Sequence, residues 1–264
     1  MNHHLFENAP SLSHRQIQFI RSLARKKYRD QSGQFFIEGV RICEEAHQAR
    51  TAITYAVACP QLISERGRIL LASVNQSAIP IHIVSSSGFK SMANTRSPQG
   101  IGMVLSKMQT KLKPGPIIMA LDRIMDPGNI GTLFRTAEWF GISSIVLSPG
   151  CVDVYNDKVV RSSMGAVFKV PFVENAELTD ICSRLKTKGY VILGTAANSD
   201  TPLMSFQNKD KVLFAIGGEA AGLSEPLLNI CDSVVSIPGK GKSDSLNAAI
   251  AGSIIMYHLT LELS

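Results

Sequence analysis

Three stretches of this 264-residue chain gather residue types that chemistry needs. In "DRIMDPGNIG" (122–131), Pro127, Gly128 and Gly131 make a tight bend that leads into a helix. Asn129 is a natural N-cap there. A little further on, Arg135 stands one position past an apolar pair. At about 100° per residue, Ile130, Leu133, Phe134 and Ala137 form one core-facing stripe, and Arg135 lies off it. Taken alone, it reads as an exposed pair with Glu138. In "GGEAAGLSEP" (217–226), Gly217 and Gly218 permit close backbone approach, and Glu219 sets a carboxylate at a strand end. The plainer reading of that stretch is a helix-capping turn with an acid in the first turn. The third stretch, "IPGKGKSDSLNAAIAG" (237–252), is a strand end, a glycine-rich loop and a helix starting near Ser245. Ala248, Ala249, Ala251 and Gly252 open that helix with side chains small enough for very close packing.

Familiar engines are missing from these loops. No G-x-x-x-x-G-K-[ST] is present, "GGEAAG" lacks an intact G-x-G-x-x-G, and no G-x-S-x-G marks a nucleophile elbow. No H-x-E with cysteines suggests a zinc deaminase. The five cysteines are widely spaced without a C-x-x-C, and none of the six histidines falls in the three loops. Neither a metal nor a histidine base is expected, and the cysteine usage fits a reducing, cytoplasmic setting. The opening "MNHHLFENAPSLSHRQ" lacks a signal peptide's apolar stretch, and no run is long enough to span a membrane.

The elements that must position the loops alternate strand and helix. Apolar strand candidates are 117–121, 144–148, 190–194, 212–218 and 233–238; helical patterns fall at 130–140, 177–188, about 223–230, and 245–260. That alternation predicts an α/β domain with a parallel sheet covered on both faces. Its ligands would sit at the carboxyl ends of strands, where the three loops begin. "QTKLKPGP" (109–116) reads as a linker. Before it, a small α/β domain (1–108) is expected: an amphipathic basic helix over 15–29 with Ile17, Ile20, Leu23 and Ala24 on one side, strands near 33–39, 53–58, 81–84 and 100–106, and a helix over 40–49. The second domain would run over 117–264.

Charge divides the same way. Residues 1–115 carry 15 Lys and Arg against 6 Asp and Glu, whereas residues 116–264 carry 12 against 15. The first segment suits a polyanion. Arg21, Arg25, Lys26, Lys27 and Arg29 cluster around Tyr28, which reads as a partly buried structural tyrosine, with base stacking the alternative. Further along, Lys158 and Arg161 are candidates for phosphate contact near the site.

In order and spacing, "DRIMDPGNIGTLFRTAEWFG", "AIGGEAAGLS" and "IPGKGKSDSLNAAIAG" resemble the three signature motifs of the SpoU (TrmH) family of RNA ribose 2′-O-methyltransferases, in the SPOUT superfamily. "DKVVRSSMGAVFKVPF" (157–172) is similar to a further family stretch, and "GQFFIEGVRICEEA" resembles the amino-terminal substrate-binding domain of many members. Two departures stand out: Gly239 where the family often has Met, and Ala220 where it often has Gly. The resemblance implies a deep trefoil knot in the second domain, homodimers that share active sites, and S-adenosylmethionine as methyl donor. By position it implies that Gly217, Gly218, Ile237 and Leu246, with Gly239, Gly194 and Thr195, line the cofactor pocket. It sets Arg135 beside the target ribose, with Asn129, Glu219, Ser245 and Asn247 around it. A guanidinium is a poor base. Arg135 therefore either takes the hydroxyl proton in an unusual environment or stabilises the developing alkoxide and the neighbouring phosphate. The implied substrate is RNA: ribosomal RNA of the large subunit first, transfer RNA second. The rival readings are a non-catalytic RNA-binding or ribosome-assembly protein and a base methyltransferase of the same fold.

Overall fold

The computed structural model describes residues 6, 9–109, 111–207, 210–219, 221–241 and 243–262. The chain divides into two compact units. One comprises residues 1–109 together with 155–168, the other residues 110–154 and 169–264. The second half of the sequence therefore does not form one continuous unit, as its alternating pattern suggests: a segment from its middle packs within the first. Tyr155 anchors that segment. Its ring lies 4.7 Å from that of Phe35, and its hydroxyl accepts from Met108 N and donates to Met108 O.

In the first unit, strands β1 (Gln34–Glu38), β2 (Ile53–Ala58), β3 (Ile81–Ile83) and β4 (Ile101–Ser106) form a sheet of order β1-β4-β2-β3. Only the β2–β3 pair is parallel. Helices α1 (His14–Ser22), α2 (Lys26–Ser32), α3 (Val40–Gln48), α4 (Glu65–Gln76), α5 (Ser86–Met92) and α7 (Asp157–Ser162) complete it, with α6 belonging to the other unit. The single basic helix expected over 15–29 is two helices. Ser13 and Gln16 form a capping box that starts α1, and Arg25 takes an extended backbone that ends the run. Arg29 enforces the break: its guanidinium donates to the carbonyls of Leu23 (2.7 Å) and Ala24 (3.0 Å). Ile20 and Leu23 are buried as expected, but Ala24 is exposed because the stripe ends with the helix.

The second unit is a six-stranded, fully parallel sheet of order β10-β8-β9-β5-β6-β7. Its strands are β5 (Ile117–Asp122), β6 (Ser144–Leu147), β7 (Phe172–Val173), β8 (Tyr190–Thr195), β9 (Lys211–Gly217) and β10 (Ser233–Val235). Helices α6 (Pro127–Trp139), α8 (Leu178–Lys186), α9 (Glu225–Ile230) and α10 (Ala248–Glu262) accompany it. Strand β5 is buried at every position, as expected of a central parallel strand. It is flanked by β6 on one side and by the late strand β9 on the other. Connections thus diverge at its carboxyl end, the kind of crevice where such sheets bind ligands. The expected linker is partly docked onto this unit. Ser144 Oγ bonds both N and O of Lys113, and Tyr190 Oη bonds both N and O of Gly115. Thr110 lies outside the described residues. No described helix is long and apolar enough to cross a membrane, and the five cysteines are free thiols.

Candidate active site

Three loops meet at the carboxyl end of this sheet. The first leaves β5 and enters α6, which Asp126 caps by accepting from Asn129 N at 2.9 Å. Asp126, rather than Asn129, is therefore the N-cap, and Pro127 stands at the first helical position, where its missing N–H costs nothing. The Asn129 side chain is consequently free for other work. Its Nδ2 donates to Glu219 Oε1 (2.5 Å), and its Oδ1 accepts from Asn247 Nδ2 (3.0 Å). Asn247 Nδ2 also reaches Glu219 Oε1 at 3.3 Å, while its Oδ1 accepts from the backbone N of Ala249 and Ile250 and caps α10. Two amides and one carboxylate, each from a different loop, thus stitch the loops together. Glu219 Oε2 makes no hydrogen bond among the described residues, and the Glu219 side chain is exposed.

The loop that carries Glu219 is made by contact of backbone on backbone. A Cβ on Gly217 would stand 2.0 Å from the carbonyl carbon of Gly222, and one on Gly218 would stand 2.8 Å from Arg123 O. These two glycines are required by the chain's own packing, whatever ligand lies nearby. Gly194 is similar, its Cα facing the Cys231 sulfur, whereas Gly239 faces open space. Thr195 Oγ1 donates to Ala215 O at 2.8 Å. Ile237 is half-buried, and Ser245 and Leu246 are exposed. Because β8 is the neighbour of both β9 and β10, the loops after Gly194, Gly217 and Ser236 leave the same end of the sheet side by side. Ala220 lies outside the described residues. Helix α10 begins at Ala248 rather than Ser245, and Gly252 is its point of close approach: a Cβ there would meet Leu133 and Ile216 at about 2.5 Å.

Arg135 is exposed, and it forms no hydrogen bond or ion pair among the described residues; Glu138 pairs with Lys169 instead, at 3.8 Å. Six residues past Asn129, Arg135 lies about 9 Å along the helix axis and about 120° round it. Within one chain, then, the structure brings together Asn129, Glu219 and Asn247 but does not bring Arg135 to them. Arg135 shares its face of α6 with Trp139, four residues on and 81% exposed.

The cationic candidates separate by burial. Arg21, Arg25, Lys26 and Lys27 are exposed on the first unit, and Tyr28 is also exposed. Arg29 is 3% exposed and spent on carbonyls, so it is no RNA contact. Lys158 and Arg161 lie on α7, in the first unit rather than in the unit holding the three loops. Arg161 pairs with Asp157 at 2.6 Å. Burial pushes the Cys182 thiol up to about 12 and that of Cys231 up to about 11, so neither is an activated nucleophile. No cluster of metal-ligating side chains occurs among the described residues. Asp122 and Arg123, at the end of β5, also hold the site's framework; their type was visible in the sequence, but their partners, about 100 residues away, were not.

Residues 116–257 match the family model of the SpoU rRNA Methylase family, and residues 14–102 match an MRM3-like substrate binding domain. The chain belongs to the SpoU rRNA methylase family. It is 31% identical over 239 residues to the Bacillus subtilis 23S rRNA (guanosine(2553)-2′-O)-methyltransferase RlmP, covering 90% of this chain and 93% of that one. It is also 31% identical over 251 residues to a Streptomyces viridochromogenes 23S rRNA (uridine(2479)-2′-O)-methyltransferase, covering 89% and 85%. Among solved structures it is similar to the SpoU methyltransferase AviRb from S. viridochromogenes in complex with AdoMet (TM-score 0.84, 27% identity, 95% and 98% covered). An AdoMet-bound rRNA methyltransferase from Sinorhizobium meliloti gives a TM-score of 0.83 at 27% identity, with 97% and 98% covered. SpoU membership implies the family's trefoil knot in the second unit.

Proposed function

We propose that this SpoU protein transfers a methyl group from S-adenosylmethionine to a ribose 2′-hydroxyl of RNA, acting in the cytoplasm as a homodimer, with large-subunit ribosomal RNA as substrate. The observation that carries the reading is the hydrogen-bonded cluster of Asn129, Glu219 and Asn247, drawn from three loops at the carboxyl end of the parallel sheet. The adjacent strand-end loops fit the cofactor: Gly239 leaves open space beside half-buried Ile237, and Leu246 offers an exposed apolar side chain. With Gly194, Thr195, Gly217 and Gly218 these residues would hold S-adenosylmethionine, which when bound supplies an electrophilic methyl group. The chain's part is placement and proton handling. Asn129 and Asn247 fix Glu219 by its Oε1 and leave Oε2 to accept a hydrogen bond from the ribose hydroxyl. Ser245, exposed on the third loop, is a further polar wall.

Homodimerisation is supported by a second apolar face on α10. Ile250 (51% exposed), Ile254 (38%), Tyr257 (56%) and Leu261 (57%) recur at helical spacing opposite buried Ile255, Met256 and Leu259. A helix apolar on both faces needs cover on both. Trp139 and Arg135 present the exposed face of the neighbouring α6. A second copy over this surface would carry its Arg135 into the site that Asn129 and Glu219 begin. There the guanidinium steadies the developing alkoxide and the neighbouring phosphate. The RNA would engage Arg21, Arg25, Lys26 and Lys27, with Lys158 and Arg161 on the same unit. Ribosomal rather than transfer RNA is favoured because, of three relatives matched over most of their length, two are named for 23S rRNA and the third for tRNA/rRNA. The test is ribose-methylation mapping of total RNA from a strain lacking this protein against its parent. One 2′-O-methyl nucleotide of 23S rRNA should disappear; an unchanged map, or a lost base methylation, would overturn the reading.

A further inference from the structure

The dipeptide at the end of β5 has no part in methyl transfer by position, yet it is built into the loop that carries Glu219. Asp122 is 3% exposed, and its carboxylate is fully engaged. Its Oδ2 accepts from Ser224 N at 2.8 Å, and its Oδ1 accepts from Ser148 Oγ at 3.2 Å and faces Arg123 Nε at 3.3 Å. The Asp122 carbonyl accepts from Gly218 N at 3.0 Å. One residue therefore holds both Gly218 and Ser224. Arg123 holds Gly222, which lies between them in sequence and pairs back onto Gly218: its Nη2 donates to Gly222 O at 3.4 Å. Its backbone takes φ +57°, unusual for a residue with a side chain. Conformations of that kind cost energy and persist where their surroundings fix them, commonly at functional sites. With the backbone so turned, the Arg123 side chain reaches the carbonyl of Gly222.

We propose that Asp122 and Arg123 form a latch that sets the position of the Glu219 loop, Asp122 clamping Gly218 and Ser224 and Arg123 clamping Gly222, so that both are positioning residues for methyl transfer. Neither touches the reacting atoms; both act through Glu219, which must stand where Asn129 and Asn247 can share its Oε1. The latch rests on the methyl-transfer reading for its consequence but not for its existence.

Arg123→Gly separates positioning from stability. Glycine adopts φ +57° without strain, and the lost side chain is 43% exposed, so melting temperature should hold. Amide exchange at Gly218, Gly222 and Ser224 should nevertheless rise, and kcat fall, each by about tenfold, the equivalent of one hydrogen bond to a charged group. KM for RNA should not move, and millimolar guanidinium should restore part of kcat. Asp122→Asn, close to isosteric, turns a donor toward Arg123 or Ser224 and should lower kcat at least as far. Combined with Arg123→Gly, its effect should be less than additive, because one latch can be opened only once. Unchanged exchange and kcat in Arg123→Gly, additive losses in the double variant, or a kcat loss that tracks a fall in melting temperature would each overturn the latch. Should Asp122→Asn fail to fold, Arg123→Gly alone decides. Wild-type protein that transfers no methyl group to RNA would sink the methyl-transfer reading, and the exchange measurement would still decide the latch.

Discussion

The two helical regions that display arginine use it in opposite ways. In the α1–α2 region, Arg29 is buried, and its guanidinium finishes a helix by binding the carbonyls of Leu23 and Ala24. In α6, Arg135 is exposed and has no partner among the described residues. The two helices differ already in sequence: α2, KKYRDQS, is almost wholly polar, whereas α6 carries apolar residues at helical spacing. The difference is what each guanidinium can reach: two orphan carbonyls of a broken helix in one case, open surface beside an uncovered apolar face in the other. An arginine spent on its own fold is unavailable for RNA; one left unspent beside Trp139 is available to a second copy of the chain.

The largest effect that could break this contrast is on turnover. Arg135→Ala should lower methyl transfer by at least about 1000-fold if its guanidinium meets developing charge. Its stability should shift within about 0.5 kcal/mol, as for a surface substitution. Single-turnover assays beside thermal melts read both. Glu219→Gln keeps the shape but removes the charge, and should cost about 100-fold in kcat. Arg29→Ala should show the reverse pattern, losing about 1–3 kcal/mol of stability, because buried carbonyls lose their donors. The salt dependence of its RNA affinity should stay where it was. A Lys26→Glu, Lys27→Glu double variant should instead fold normally and flatten the salt dependence of RNA binding by a slope of about 2 or more, measurable by titration at several salt concentrations.

The smallest effect belongs to Asp30, which also shapes the basic region. A hydrogen bond from Lys107 holds its carboxyl below the ordinary 3.8. A lowered folded-state value contributes stability above the unfolded value that is lost as pH falls through the folded one. Wild type should therefore melt slightly above Asp30→Asn near pH 5, with the gap closing as pH falls below the ordinary carboxylate range. A gap that widened on acidification would contradict the pairing.

Much of the second unit was legible because its strands are buried on both faces and read as unbroken apolar runs. β7 was not, since two residues make no pattern, and its place is set by pairing with Ile145 and Val146. α4 was hidden because Gly67 and exposed Ile69 blur its helical period. The break between α1 and α2 depends on where the Arg29 guanidinium lands, a tertiary fact. The packing of residues 155–168 with the first unit turns on Tyr155, whose partners lie far back in the chain. At the site, residue identities were readable from the three-motif resemblance, but their arrangement was not. Asn129 looked like a cap because the spacing allowed it; the structure gives that role to Asp126 and frees Asn129 to hold Glu219. Nothing in a linear pattern shows that Arg135 stands apart from the residues it is expected to serve.

That separation can be measured directly by mixing subunits. Arg135→Ala and Glu219→Gln proteins, each nearly inactive alone, are unfolded together and refolded at equal concentration. If each site takes Arg135 from the partner copy, half the dimers are mixed and each of these holds one intact site, so about a quarter of wild-type activity should return. If Arg135 serves the Glu219 of its own chain, every site in the mixture is damaged, and no recovery above the two variants measured separately would contradict the account.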